Sequence, residues 1–237
     1  MKKVAALDLG SNTFLCLIAE GESGKISTVL YDEVHNVRLG QDVQKTKKFH
    51  PEALERAKKS LNQFAVEIQK FGITEVQAVA TAAARNVTNG DELFNICNEL
   101  NIPIKIISGV EEAQTTYLGA IAGKNESNET ILVVDIGGGS TELIVGNGKK
   151  ILFADSLKMG GVFLNDYFNF AEILTDEDTE KLKKYIKDQA SAVLQKIIHH
   201  KIDKIIAVAG TPTEFARIII GTFDKNKIED LELSKQT

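Results

Sequence analysis

The stretch VVDIGGGSTELIVG, residues 133–146, decides how this chain is read. Residues 131–134 are a short β-branched run, the pattern of a buried strand. Gly137, Gly138 and Gly139 follow, and three glycines in succession allow positive φ and close approach of the backbone to something else. Turn N–H groups with no side chains in front of them form an anion-binding concavity. Ser140 and Thr141 add hydroxyl donors. Asp135 and Glu142 repel a phosphate, so beside one they suit a divalent cation or a water. Taken alone, the stretch has two readings: a phosphate loop with a metal, or a glycine-rich β-hairpin with exposed carboxylates. A short glycine motif does not separate them.

The N-terminus holds a second copy. VAALDLGSNTFLCLIAEG, residues 4–21, aligns Asp8 with Asp135 (135 − 8 = 127) and Gly10 with Gly137 (137 − 10 = 127). Gly10, Ser11, Asn12 and Thr13 then stand opposite Gly137, Gly138, Gly139 and Ser140, and the second strands end at Gly21 and Gly148. A strand–Asp–x–Gly–turn–strand unit at the start of each half predicts two related domains, with Asp8 and Asp135 meeting across a cleft. Between the copies, residues 50–72 read as a helix, with Pro51 in its first turn and Gly72 at its end. Residues 75–80 and 104–107 read as strands, and 91–100 and 108–123 as helices. The polar GKNESNET, residues 123–130, links the halves, which are expected to move about it. Three more strands run to Ser156, then a helical patch, a long helix over 175–199, a strand over 204–210 and a helix over 211–219. A strand meander followed by alternating helices and strands argues α/β with a mixed sheet in each half.

Composition narrows the function. The 237 residues are 43% hydrophobic, enough for one large or two small domains. No run approaches a membrane-spanning length, and Met1-Lys2-Lys3 leads straight into a strand without a signal-peptide core. Cys16 and Cys97 read as buried free thiols, which fits a reducing cytoplasm. No Cys/His spacing suggests zinc, and His199-His200 follow a helix whose C-terminus favours them. The net charge of −5 argues against nucleic acid and opposes global steering of a long polyanion. Lysines cluster at 45, 47, 48, 58 and 59 and again at 181, 183, 184 and 187. Solvated helix faces are the default reading there, and a polyphosphate track is the alternative.

Asp8 to Thr13 and Asp135 to Glu142 carry a resemblance. With VRLG (37–40), ATAAAR (80–85), ISGVEEA (107–113) and AGTPTEFA (209–216), they are similar, in order, to the exopolyphosphatase/guanosine pentaphosphate phosphatase family. That family belongs to the actin/hexokinase/Hsp70-like superfamily. The resemblance implies two actin-like (ribonuclease H-like) α/β domains, residues 1–123 and 124–237, with mixed sheets facing each other across a cleft. It implies Mg²⁺-assisted attack of water on the terminal phosphoanhydride of inorganic polyphosphate or guanosine pentaphosphate. It also implies further chain after the segment at 224–234, with a helix packing back on the first domain. Leu15 stands where some relatives carry a basic residue.

Individual residues take roles on that basis. Ser108 and Glu111 have capping-box spacing, which gives Glu111 a structural task and leaves Glu112 without one. The resemblance makes Glu112 the catalytic base. Arg85, at a strand's exit, suits charge on phosphate oxygens, and Arg38 in VRLG shares that reading more weakly. The phosphates are expected on the backbone of Gly10 to Thr13 and of Gly137 to Thr141. Gly210 and Thr211 open a helix and offer a further anion site, with Pro212 expected at N1. The metal is expected near Asp8, Asp135 and Glu142, waters completing an octahedral shell. A homodimer is the candidate assembly. Two rival functions stay open: a small-molecule kinase of the same superfamily, and a non-catalytic sensor of polyphosphate or an alarmone. Phosphate release without an acceptor separates the first.

Overall fold

The hairpin repeat organises the fold. The computed structural model describes residues 1–22, 25–122, 128–170, 173–228 and 231, so most of the expected linker lies outside the described residues. β1 (Lys2–Leu9) pairs antiparallel with β2 (Thr13–Glu22), which pairs antiparallel with β3 (Lys25–Asn36). β4 (Glu75–Ala80) then returns parallel to β1, and β5 (Ile104–Ile106) parallel to β4, in the order β3-β2-β1-β4-β5. The second sheet repeats the plan. β6 (Thr130–Ile136), β7 (Thr141–Asn147) and β8 (Lys150–Leu157) form the meander, and β9 (Lys204–Val208) is parallel to β6, in the order β8-β7-β6-β9. Both sheets are mixed, as the sequence predicts.

The equivalence holds at single hydrogen bonds. Gly10 N donates to Thr13 O at 3.0 Å, and Gly137 N to Ser140 O at 3.1 Å. Asp8 lies opposite Leu15, and Asp135 opposite Glu142, again 127 apart (142 − 15). The first hairpin therefore places an aliphatic side chain where the second places a carboxylate.

Helices cover the sheets unequally. α1 (Val43–Thr46) is a single turn, and α2 (Pro51–Lys70) starts with Pro51 at its first position; Gly72, at φ +67°, follows its end. The apolar stripe of α2 (Leu54, Ala57, Leu61, Phe64, Ile68) packs on Ala5, Leu7 and Leu9 of β1 and Phe14, Cys16 and Ile18 of β2. α3 (Gly90–Glu99) adds Leu93 and Cys97 to the same core. By the period-2 rule Val4, Ala6 and Asp8 point to the other face, where Ala6 and Asp8 are exposed. Both thiols are buried and free, and burial pushes Cys16 up to about 11 and Cys97 up to about 12.

The second sheet is covered on both faces. α4 (Gly109–Ile121) follows the first half in sequence but packs on β6, β7 and β8, through Ala113 and Tyr117 against Ile131, Val133 and Ile144. α6 (Asp176–Ile197) covers the opposite face, with Val193 and Ile197 on Leu132, Leu143 and Val145. α5 (Gly161–Phe168) lies between β8 and α6 in the chain. α7 (Gly210–Ile220) and the single-turn α8 (Lys225–Ile228) follow β9. No helix among the described residues is long and apolar enough to cross a membrane.

Candidate active site

Alternation along the strands explains why the acidic residues gather. Ile131 and Val133 face α4, so Asp135 two residues on faces it too. Glu142 shares a face with Ile144 on β7, and Ser156 with Ala154 on β8. From α4, Glu112 and Thr116, one turn apart, look back at that set. Thr116 Oγ1 donates to Asp135 Oδ2 at 3.1 Å, and Ser156 Oγ to Glu142 Oε1 at 2.6 Å. The residues at 133–146 thus form no hairpin with exposed carboxylates: Glu142 is only 1% exposed and Asp135 half-buried.

The carboxylates feel one another. Burial pushes Glu142 up to about 7, with Glu112 adding to the rise and Ser156 and Ser140 opposing it. Asp135 is pushed up to about 6 by burial, opposed by the Thr116 hydroxyl. Asp8 rises to about 7, mainly from its depth in the molecule, then from Glu112 and Asp135. It nonetheless stays open to solvent on the uncovered face of the first sheet. Asp8 of β1 thus feels the charge of Asp135 on β6 as well as that of Glu112.

Glu111 and Glu112 divide as the sequence predicts. Ser108 caps α4: its Oγ accepts from Glu111 N at 3.2 Å, and Glu111 Oε2 accepts from Ser108 N at 2.8 Å. Lys105 completes Glu111's contacts at 2.7 Å. Glu112 turns inward instead. Arg85, in the 3₁₀ turn after β4, donates from Nη1 to Glu112 Oε2 at 2.7 Å and to Ile107 O at 3.0 Å.

The two glycine loops touch. A Cβ on Gly138 would lie 2.9 Å from Asn12 Cβ; one on Gly139 would lie 2.5 Å from Ser11 Oγ and 2.8 Å from Ala82 Cβ. None of Gly10, Gly137, Gly138 or Gly139 has positive φ, so of the two properties three glycines allow, close approach is the one used, at Gly138 and Gly139. Asp42 N to Asp166 Oδ2 (3.1 Å) and Lys45 Nζ to Asn169 Oδ1 (2.8 Å) add contacts between the halves. In this structure the two loops are in contact. Gly161 N and Phe163 N, in the first turn of α5, take Gly137 O and Gly138 O at 3.0 Å each. Those carbonyls are thereby engaged, while the N–H groups of Gly138, Gly139 and Ser140 meet no protein acceptor among the described residues. Ser11 Oγ is taken by Ala83 N at 3.1 Å and Thr141 Oγ1 by Met159 O at 3.1 Å, so these hydroxyls brace the loops. Asn12 O receives Val37 N and Arg38 N, which gives VRLG a backbone role, with Arg38 at φ +52°. Beside the loops, a cleft of about 230 Å³ is lined by Arg85, Asn86, Gly109, Ser140, Ser156 and Lys158 among others.

The profile of the Ppx/GppA phosphatase family matches residues 17–228. The chain belongs to that family. A solved exopolyphosphatase-like protein is 30% identical to this family member over 93% of it and 69% of that protein, with a TM-score of 0.86. An exopolyphosphatase from Cytophaga hutchinsonii is 27% identical, covers 98% of this chain and 73% of its own, and has a TM-score of 0.86. The Aquifex aeolicus PPX-GPPA enzyme is 28% identical over 94% and 72%, with a TM-score of 0.74.

In this Ppx/GppA family member the acid set has the chemistry of a hard-cation site, all oxygen donors with a shortage of positive charge around them. Among the described residues no group of three or more His, Cys, Asp or Glu closes into a metal cage. Mg²⁺ suits such an incomplete shell, because it keeps several waters and takes one or two carboxylates plus substrate phosphates. Asp135, with one oxygen on Thr116, and solvent-facing Asp8 fit that task; enclosed Glu142 fits behind them.

Gly210 and Thr211 do open α7, following Ala209 at φ +74°. Pro212 is its third residue, not its first, because the helix begins at Gly210; it removes one of the N–H groups at that end. Thr116, Ser156 and Lys158 were not legible as site residues. The first two act through contacts made only when α4 and β8 close on β6 and β7.

Proposed function

We propose that the chain hydrolyses the terminal phosphoanhydride of a polyphosphate-type substrate, either inorganic polyphosphate or guanosine pentaphosphate. One observation carries the reading: Glu112, gripped by Arg85, shares its field with Asp8, Asp135 and Glu142 beside a glycine loop whose Gly138, Gly139 and Ser140 amides meet no protein acceptor among the described residues. Amides without acceptors are donors for phosphate oxygens, and the acids give a cation its place. A cleft of about 230 Å³ is small beside the ~300–1,000 Å³ of sites for drug-sized ligands. It fits the phosphate end of a substrate and leaves the remainder outside.

In the mechanism, the Gly10–Thr13 and Gly137–Thr141 loops hold the terminal phosphate from two sides. Glu112 orients a water and accepts its proton as the water oxygen bonds to phosphorus and the bridging P–O bond breaks. The electron pair leaves on the departing phosphate chain. Arg85 fixes Glu112 and lends positive charge to the reacting phosphate. Mg²⁺, held by Asp8 and Asp135 with Glu142 behind them, would supply further neutralisation. Serine and threonine hydroxyls (Ser11, Thr141) keep the loops in place.

Phosphate release, measured with Mg²⁺ on long-chain polyphosphate and on guanosine pentaphosphate without any acceptor, tests this. Release from either supports it. Binding of both without release would make the chain a sensor; release only with an acceptor would make it a kinase.

A further inference from the structure

Arg85 is already committed in this structure, its Nη1 shared between Glu112 and the Ile107 carbonyl. Turning it fully to a substrate would release the proposed base. Asp8, Asp135 and Glu142 each feel the charge of Glu112, so a polyanion brought to the Arg85–Glu112 pair meets a surplus of negative charge. A second cation would offset that charge, and one lines the cleft that Arg85 lines. Lys158 follows β8 and lines the cleft together with Arg85. Among the described residues its ammonium has no ion-pair partner, unlike Lys105, Lys181 and Lys183.

Its backbone is fixed against the glycine loop. Met159 N donates to Leu157 O at 2.9 Å, and Met159 O accepts from Thr141 Oγ1 at 3.1 Å. The Tyr185 hydroxyl donates to Lys158 O at 3.4 Å. Gly160, two residues on, lies so near Gly138 that a Cβ there would come within 2.4 Å of its carbonyl carbon. A mobile four-carbon stem on a clamped base delivers a point charge beside Ser140 without disturbing the hairpin.

We infer that Lys158 is a substrate-binding residue, whose ammonium takes a nonbridging oxygen of the phosphate chain in the cleft. The inference rests on the phosphohydrolase reading for its ligand class but not for its test. Lys158 contributes binding in both ground and transition states, so its loss acts on KM more than on kcat.

Equilibrium binding of inorganic tripolyphosphate, with Mg²⁺, is measured by calorimetry on the wild type, Lys158→Gln and Lys158→Arg, and phosphate release is followed in parallel. Lys158→Gln is expected to weaken binding about tenfold, on the scale of one charge-assisted hydrogen bond, with thermal unfolding unchanged. Lys158→Arg is expected to restore binding to within about threefold, since the charge is kept. This pattern upholds the inference even if no phosphate is released, in which case only the hydrolase reading falls. Equal binding by the wild type and Lys158→Gln, or none by the wild type, overturns it, whatever the turnover.

Discussion

Arg85 and Glu112 meet at 2.7 Å although one follows a strand of the first sheet and the other sits on a helix packed on the second. The pair is largely enclosed, with 21% and 16% of the two side chains exposed. One charged contact therefore ties the turn after β4 of the first sheet to a helix packed on the second, at the point where the proposed base acts.

Glu112→Gln should lower phosphate release by about 10²–10⁴-fold with little change in KM, since a base acts in the transition state. Glu111→Gln should stay near wild type, because glutamine also closes a capping box. Steady-state kinetics of the two variants check the assignment; similar losses in both would overturn it.

Thr116→Val removes the hydroxyl that holds Asp135 down. Asp135 should then titrate higher still, and the acid limb of the pH–rate profile should move to higher pH. Mg²⁺ affinity should weaken by about 10–100-fold, the usual effect of losing a partner that orients a metal ligand. An unmoved acid limb would detach Thr116 from the site.

The three raised carboxylates also set a pH dependence of stability. Asp8, Asp135 and Glu142 stand near 7, 6 and 7 in the fold, against 3.8, 3.8 and 4.5 for free side chains. The folded chain thus binds more protons than the unfolded one between those values. Their contribution is fully present below about pH 4 and is lost as pH rises to about 7. In urea titrations with chelator, Asp135→Asn/Glu142→Gln should lose stability less steeply than the wild type between about pH 5 and about pH 8. Parallel curves would refute this.

Two neighbouring glycines should separate in effect. A Cβ on Gly137 meets Ser140 O at 3.5 Å and Asp135 Oδ1 at 4.0 Å, ordinary contacts, whereas one on Gly139 meets Ser11 and Ala82 within 2.8 Å. Gly139→Ala should force the loops apart, enlarge the molecule in small-angle scattering and cost about 1–3 kcal/mol. Gly137→Ala should fold normally, and its catalytic loss would report a methyl in phosphate space. Full activity in Gly137→Ala would remove that loop from the substrate.

Element types were legible because the chain punctuates them clearly: Pro51 and Gly72 bound α2, Ser108 and Glu111 open α4, and the Asp-x-Gly hairpins repeat at a fixed interval. Asp135 and Glu142 stood out through the same hairpin repeat, whereas Glu112 took its role from the family resemblance, the capping box only giving Glu111 a separate task. What escaped was contact across the chain. Nothing near Tyr117 announces that its ring fills the space a side chain at Gly146 would need, or that its hydroxyl reaches Gly148 O at 2.9 Å. Those contacts bring α4 to the second sheet, and with it Thr116 to Asp135. Pro212 was displaced for a local reason: the helix starts at Gly210, after an alanine in left-handed backbone.

The packing of α4 has a consequence for recombining this chain with its relatives. A crossover between Ile107 and Ser108 would pass Glu112, Thr116, Asp135 and Glu142 on as one inherited block, leaving only Arg85 and Asp8 to be matched by the other parent. A crossover within residues 123–127, where the sequence alone invites one, would separate the base from the acids it was packed with.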